Sequence, residues 1–311
     1  MRDKLDLLRE IRRDLNDGPG AHDIETLAER LNQLSIGLTQ KMPVVFRDSR
    51  FFRVRRMDQQ PSNVSAVGAP PPEMAPIGRL NQSGQSVLYV ADSPDTAFAE
   101  SRAASGTFCL SEWRVNVEKL GMANGGISPA MLAEWFPKLL DDGHNALVPK
   151  ATELDDEILA LFREIYRLDV GDNRSLYCWS ISCSLANGFA HQLERNASGI
   201  RNGITKWNGR YPFGAIAYPS LRADRPSLNY ALNDHGQTCV RLNHVQWIRR
   251  TDNGSYAGLN YSNSWDYVGT IHWENRAARF ELRPGERAKL TKVAHDTWLY
   301  ETADGSIPWF S

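Results

Sequence analysis

Apolar positions near the amino terminus recur every three or four residues and predict two amphipathic helices. One stripe comprises Leu5, Leu8, Ile11 and Leu15, and the other comprises Ile24, Leu27, Leu31 and Leu34. Segment 17–20, which contains Gly and Pro, separates the stripes and breaks the helical pattern. Residues 1–44 are therefore interpreted as a helical hairpin that packs on the rest of the protein, because both stripes are short for a coiled coil.

Short apolar runs bounded by Gly, Pro or Asp predict the strands of a core region at residues 45–254. We expect these strands near residues 51–56, 87–90, 108–117, 176–184, 213–218 and 240–248. Residues 128–168 instead show helical periodicity, with Ser128-Pro129 opening one helix and Thr152 capping another. The pattern places a helical insertion at about residues 121–170 in a protein of the α+β class.

Residues 255–311 are rich in aromatic side chains and predict a C-terminal β extension. Its candidate strands lie at residues 267–273, 278–282 and 297–301. An extension of the core sheet, a dimer surface and a substrate-recognition element are alternatives that the pattern does not separate. Within the core, the Pro-rich segment 61–76 has no periodicity and is expected to be a loop over the functional site.

A strand, a breaker and a capped helix follow one another between residues 87 and 101. Ser93 is a suitable N-cap because its hydroxyl can accept a hydrogen bond from the first helical turn, and Pro94 suits the first helical position. Glu100 then shares a helix face with two small residues, Thr96 and Ala97, while Phe98 points away from that face and is expected in the core. A ligand could approach this carboxylate, although a glutamate on a helix is more often simply solvated.

Other segments supply polar groups that could act with Glu100. Strand alternation places Arg53 and Arg55 on one face of the predicted strand 51–56, so either arginine is a candidate anion ligand. Tyr89 ends an apolar run, where it is either a core ring or a contact for a ligand. Ser220 follows Pro219 after a predicted strand and is either a turn residue or a hydrogen-bond donor at the site.

These segments, taken in order, resemble the RES domain, a family named for its Arg, Glu and Ser. The resemblance covers about residues 45–250 and rests on Phe52-Arg53, Gly78-Arg79-Leu80-Asn81, Leu88-Tyr89, Thr96–Glu100 and Tyr218-Pro219-Ser220. Phe52 stands where tyrosine is common in the family, and Leu80 stands where tryptophan is common. Both replacements are apolar, so we expect them to affect packing or stacking more than chemistry.

The resemblance implies an ADP-ribosyltransferase-like mixed β core and NAD as a substrate, cleaved at its nicotinamide–ribose bond. In this interpretation Glu100 stabilises positive charge on the ribose, Arg53 and Arg79 clamp the diphosphate, and Tyr89 stacks on nicotinamide. Ser220 would hydrogen-bond the same end of NAD, and no metal is required. Many members are toxins held inactive by an antitoxin, so an antitoxin or immunity protein is an implied partner.

Three functional hypotheses follow from this resemblance. The first is an NAD-consuming toxin or effector that transfers the ribose carbon to inorganic phosphate or water. The second is an ADP-ribosyltransferase that modifies a protein side chain, and the third is an inactive NAD-binding or protein-interaction module. Intact Arg53, Tyr89, Glu100 and Ser220 argue against the third hypothesis, whereas the sequence does not separate phosphate, water and protein as acceptors.

Composition narrows the class of protein further. A formal net charge of −1 over 311 residues gives no electrostatic reason to expect a nucleic-acid partner. The chain has no apolar run of membrane-spanning length, no HExxH, GxGxxG or GxxxxGK[ST] motif, and four cysteines without a CxxC pair. We therefore expect a cytoplasmic enzyme without metal or membrane association, and leave open a homo-oligomer and secretion as an effector without a cleavable signal.

Overall fold

The computed structural model describes residues 3–17, 30–31, 33–34, 44–76, 78–81, 83–102, 105–135, 152–167, 214–220, 222–223, 226–250, 256–273, 280–281, 288–294, 297–302 and 309–310. The predicted strand at residues 176–184 lies outside these residues, as does the start of the second amino-terminal helix. Leu31 and Leu34 of that helix are described, and both are buried.

The described residues form a mixed α+β structure, which confirms the predicted class. Its helices, in chain order, are α1 (Lys4–Asp17), α2 (Pro94–Ser101), α3 (Pro129–Trp135), α4 (Glu153–Arg167) and α5 (Asp234–Thr238). Its strands are β1 (Val44–Phe46), β2 (Arg50–Arg56), β3 (Leu88–Ala91), β4 (Gly106–Val115), β5 (Lys119–Asn124), β6 (Ala215–Pro219), β7 (Leu228–Leu232), β8 (Val240–Arg250), β9 (Tyr256–Ser262), β10 (Phe280–Glu281), β11 (Ala288–Ala294), β12 (Thr297–Thr302) and β13 (Trp309–Phe310).

Eleven of these strands form one mixed sheet in the order β1-β5-β6-β7-β3-β2-β4-β8-β9-β12-β11. Strands β5 and β6 are parallel, and the other described pairs in this sheet are antiparallel. The contact between β2 and β3 is a single residue pair, Phe52 with Ala91, although β2 pairs with β4 along its whole length. The sheet therefore separates between β2 and β3 beyond this pair, and this is where a cleft opens.

Alternation along β2 sends its side chains into different parts of the core. Phe51 belongs to a large cluster with Leu88, Trp113 and Tyr230, whereas Phe52 packs with Phe98 of α2 and with Phe108. Phe98 is 2% exposed, which agrees with its predicted core position. Because successive strand residues point to opposite faces, this two-sided packing fixes the register of β2.

Helix α1 shares a core with elements that line the cleft. Leu8 and Ile11 of α1 belong to one buried cluster with Ile158 and Phe162 of α4, and the same cluster contains Leu80 and Tyr218. Residues 3–17 thus pack against the part of the fold that carries the candidate site.

The Pro-rich segment 61–76 contains two short 3-10 turns, at Val64–Ala66 and Pro72–Met74. The turn that follows β9 holds it in place. Val64 N donates to Gly269 O (2.8 Å), Ile271 N donates to Ser62 O (2.8 Å), and the Trp273 indole donates to Pro61 O (2.7 Å). Residues near 270 thereby support the loop that lies next to β2.

Two expectations about local structure need correction. Residues 121–124, assigned from the sequence to a helical insertion, belong to β5, because they pair with β1 and β6 in the main sheet. Residues 267–273, expected as a strand, form a turn with isolated bridges, since Asp266 caps the backbone N–H groups of Val268 and Thr270. The C-terminal region nevertheless extends the core sheet, through β9, β12 and β11.

None of the helices in the described part of the chain is long and apolar enough to cross a membrane.

Candidate active site

A cleft of about 490 Å³ lies where β2 and β3 separate. Its walls come from residues 52–54 of β2, 89–91 of β3, the turn at 78–79, the end of α2, and Tyr218, Arg222 and Asn229. Among the described residues that line it, Glu100 is the one carboxylate and Arg53, Arg79, Arg102 and Arg222 are the cations. A pocket of this composition suits a ligand that has anionic groups for the arginines and one positively charged part for the carboxylate.

The local sequence places Glu100 near the end of a short helix whose N-terminus is capped. The Ser93 hydroxyl accepts a hydrogen bond from Thr96 N at 3.2 Å, and Pro94 occupies the first turn, as predicted. Asp92 ties the start of the helix to β7, because its carboxylate accepts from Thr96 Oγ1 (2.9 Å) and from Leu228 N (2.8 Å). Helix α2 therefore holds Glu100 in a fixed position beside β7.

The two carboxylate oxygens of Glu100 have different surroundings. Oε1 accepts hydrogen bonds from Ser220 Oγ and from Asn229 Nδ2, both at 2.7 Å. Oε2 lies 4.0 Å from the Arg79 guanidinium, and the two side chains are only 21% and 15% exposed. Two short hydrogen bonds to one oxygen fix the orientation of the Glu100 carboxylate.

Ser220 contacts Glu100 through a hydroxyl whose position is set by the backbone around it. Ser220 N donates to Ser227 O at 2.8 Å, and the Ser220 hydroxyl oxygen accepts from the backbone N–H groups of Arg222 (3.4 Å) and Ala223 (3.3 Å). With these acceptor contacts made, the hydroxyl hydrogen is directed to Glu100. Its predicted contact with nicotinamide stays a prediction.

Asn229 is a site residue that the sequence reasoning missed. It lies in β7, is 4% exposed, and lines the cleft while donating to Glu100. All five residues of β7 are buried, so Asn229 is a polar residue in a strand that is otherwise apolar. A buried amide needs a partner, and this single polar position in the run Leu228–Leu232 is the signal that could have identified it.

Tyr89 holds the turn that carries Arg79. Its hydroxyl donates to Asn81 Oδ1 and accepts from Leu80 N, both at 2.8 Å, while Gly78 N donates to Asn81 O at 2.9 Å. A Cβ atom on Gly78 would overlap the Asn81 side chain and lie 2.9 Å from the Tyr89 hydroxyl oxygen. The Gly-Arg-Leu-Asn motif thus requires glycine at its first position, and the Tyr89 ring lines the cleft.

Arg53 and Arg55 both bind the 61–76 loop, which agrees with their predicted position on one face of β2. Arg53 donates to Gly68 O at 2.6 Å, and Arg55 donates to Ala66 O at 2.8 Å. Burial, together with the charge of Arg55, lowers the pKa of the Arg53 guanidinium to about 10, so it remains protonated at neutral pH. Arg53 lines the cleft whereas Arg55 is exposed outside it, which favours Arg53 as the anion ligand.

Tyr218 is a further residue of the cleft with a shifted pKa. Burial raises the pKa of the Tyr218 hydroxyl well above its usual range, and Glu100 raises it further while Arg79 opposes this. Tyr218 therefore lines the cleft as a neutral phenol. Among the residues that the structure describes, no group of three or more His, Cys, Asp or Glu side chains could hold a metal ion.

The fold and the site together define an α+β protein with a carboxylate and several arginines in one cleft. The family model of the RES domain matches residues 50–119, which confirms the resemblance found in the sequence over that segment. The match spans Arg53, Arg79, Tyr89 and Glu100, whereas Ser220 and Asn229 lie beyond it. No curated protein and no solved structure matches the chain. At a coarse level, the family indicates an NAD-related enzymatic activity and is consistent with a toxin-like domain.

Proposed function

We propose that this protein cleaves the nicotinamide–ribose bond of NAD in an ADP-ribosyltransferase-like cleft and thereby acts as an NAD-consuming toxin or effector. The observation that carries the proposal is the Glu100 carboxylate, which is oriented by two donors at 2.7 Å in a cleft lined by arginines. The family match over residues 50–119 supports the same chemistry.

Cleavage of this bond builds positive charge on the ribose, as in glycoside hydrolysis. The bond between C1′ and the nicotinamide nitrogen breaks, its electron pair passes to that nitrogen, and neutral nicotinamide leaves. A fixed carboxylate next to the ribose stabilises the positively charged transition state more than the ground state, so Glu100 lowers the barrier. Water or inorganic phosphate then donates an electron pair to C1′, and water loses its proton to solvent.

Binding is assigned to the cationic and aromatic groups of the cleft. Arg53 and Arg79 hold the diphosphate, because a guanidinium presents two parallel donors to phosphate oxygens. The Tyr89 ring offers a flat apolar face to the nicotinamide. Ser220 acts at the nicotinamide end of NAD through Glu100, to which it donates a hydrogen bond. In this assignment the chemistry requires no metal.

The biological setting proposed here follows from the activity. A cytoplasmic enzyme that consumes NAD needs an off state, so we assign it an antitoxin or immunity protein that covers the cleft. Complementary charge against the cleft arginines would make such an association sensitive to salt. We propose no nucleic-acid or membrane partner.

Identification of the products tests the proposal and separates the acceptors. Purified protein is incubated with NAD, with and without inorganic phosphate, and the products are separated and identified by mass spectrometry. Free ADP-ribose identifies water as the acceptor, and a phosphorylated ADP-ribose that requires added phosphate identifies phosphate. ADP-ribose attached to added protein supports the transferase alternative. NAD that remains intact under all conditions contradicts the proposal.

A further inference from the structure

Arg79 makes weaker contacts with the protein than Arg53, the other cleft arginine whose contact is described. In the described part of the chain, Arg79 makes no hydrogen bond, and its one ion pair is with Glu100 at 4.0 Å. Arg53, in contrast, donates to Gly68 O at 2.6 Å. A largely buried guanidinium gains stability when acceptors match its donors. No described residue accepts a hydrogen bond from the Arg79 side chain, so its donors are available to a ligand.

The ion pair between Arg79 and Glu100 involves only Oε2 of the carboxylate. Ser220 and Asn229 both donate to Oε1, so they fix the carboxylate without occupying Oε2. Arg79 lies beside Oε2, the oxygen left to act on a ligand. In the free protein, the positive charge of Arg79 therefore offsets the negative charge that the proposed chemistry needs.

We propose that Arg79 is a specificity-determining residue that makes NAD cleavage depend on the diphosphate of the substrate. Without a phosphate in the cleft, Arg79 pairs with Glu100 and weakens its action on the ribose. When a diphosphate binds, its oxygens offer hydrogen bonds that Glu100 does not provide at 4.0 Å, so Arg79 turns to the phosphate and the carboxylate acts at full charge. This inference rests on the proposed function.

The turn around Arg79 allows this movement without loss of structure. Gly78, Leu80 and Asn81 are held by backbone hydrogen bonds and by the Tyr89 hydroxyl, and none of these contacts involves the Arg79 side chain. Removal of the guanidinium should therefore leave the turn in place. The expected consequence is discrimination against nicotinamide riboside, which has the same scissile bond as NAD but no phosphate.

The test compares the cleavage of NAD and nicotinamide riboside by the wild type, Arg79→Gln, Arg79→Met and Arg79→Lys. The neutral variants should lower kcat/KM for NAD by on the order of tenfold or more, because a phosphate contact is lost. They should raise cleavage of nicotinamide riboside several-fold, since Glu100 is no longer neutralised. Arg79→Lys retains the positive charge and should not raise it. Arg53→Gln is the matched control, because it removes a cleft arginine that is bound to a backbone carbonyl; it should lower NAD cleavage without raising that of nicotinamide riboside.

The outcomes separate this inference from the proposed function. Unchanged cleavage of nicotinamide riboside by Arg79→Gln and Arg79→Met would leave Arg79 a simple phosphate ligand and overturn the inference. Equal loss of both activities in variants whose circular dichroism matches the wild type would give Arg79 a structural role and also overturn it. A wild type that cleaves neither compound would instead refute the proposed function itself.

Discussion

Ser220 donates a hydrogen bond of 2.7 Å to Glu100, although 120 residues separate them in the sequence. Asn229 donates to the same oxygen at the same distance. The carboxylate is thus held from a loop and from a strand at once, and its other oxygen is left toward Arg79. Orientation of a charged group by neighbours that do not themselves react is a common way to prepare an electrostatic contribution to catalysis.

The first prediction concerns these two donors. Ser220→Ala and Asn229→Ala should each lower kcat for NAD by about tenfold to 100-fold, the range expected when one hydrogen bond to a charged group is lost. KM should change little, because neither side chain is assigned to the diphosphate. The double variant should lose less than the product of the two single losses, since both donors orient one oxygen. Steady-state kinetics decide this, and a loss confined to KM would contradict the positioning role.

The second prediction separates the two arginines of β2. Arg53→Lys should weaken NAD binding by about tenfold although the charge is kept, because an ammonium lacks the planar pair of parallel donors that a guanidinium presents to a phosphate. Arg55→Lys is the control, since Arg55 also binds the loop but lies outside the cleft. Calorimetric titration with NAD gives the two affinities. The reverse ranking would assign the phosphate contact to Arg55.

The local sequence predicted the parts of the site that depend on neighbouring residues. The Ser93 cap, the helix over Pro94–Ser101 and the buried Phe98 follow from capping and from helical spacing, and the structure confirms them. The shared face of Arg53 and Arg55 follows from strand alternation, and both side chains reach one loop.

Other features depend on distant parts of the chain. The hydrogen bond from Asn229 to Glu100 spans 129 residues, and no periodicity within β7 encodes its partner. Residues 121–124 were misassigned because the apolar run of β5 is short and its pairing with β1 and β6 is remote in sequence. A buried polar residue in an apolar strand is the one local sign of such a contact. Glu100, in contrast, was proposed from the strand, cap and helix around it and from the family resemblance, and Asn229 has no such local motif.

The third prediction tests the glycine in the turn that carries Arg79. Gly78→Ala should destabilise the protein by about 1–3 kcal/mol, because the new Cβ atom would overlap Asn81 and approach the Tyr89 hydroxyl. Gly68→Ala is the control, since a Cβ atom there meets its nearest neighbour at an ordinary 3.6 Å. Urea unfolding measures both changes. Equal stability of the two variants would show that the turn tolerates a side chain.

The fourth prediction concerns pH and the buried His244. Its ring lies 4.0 Å from the Glu112 carboxylate, with Arg114 and Arg50 nearby. Burial is the largest effect on the His244 pKa and lowers it below 6.5; Glu112 raises it, and Arg114 and Arg50 lower it. The pKa of His244 is thus lower in the folded protein than in the unfolded chain, where it is about 6.5. The folded state is therefore favoured while His244 is neutral, and it loses stability as the pH falls below about 6.5.

The comparison that tests this pH effect uses wild type and His244→Gln. Between pH 7 and pH 5, the wild type should lose more free energy of unfolding than the variant, by at most about 1.4 kcal/mol per pH unit, the limit for one proton. Urea unfolding at several pH values gives both slopes. Identical slopes would show that His244 does not contribute to the acid sensitivity.

The most direct test of the central claim is the rate of nicotinamide release from NAD by wild type and by Glu100→Gln. Glutamine keeps the shape of the side chain but removes the charge that is proposed to stabilise the ribose. We predict that the wild type releases nicotinamide and that Glu100→Gln does so on the order of 100- to 1,000-fold more slowly, with NAD affinity largely retained. Release by Glu100→Gln at close to the wild-type rate would contradict the account.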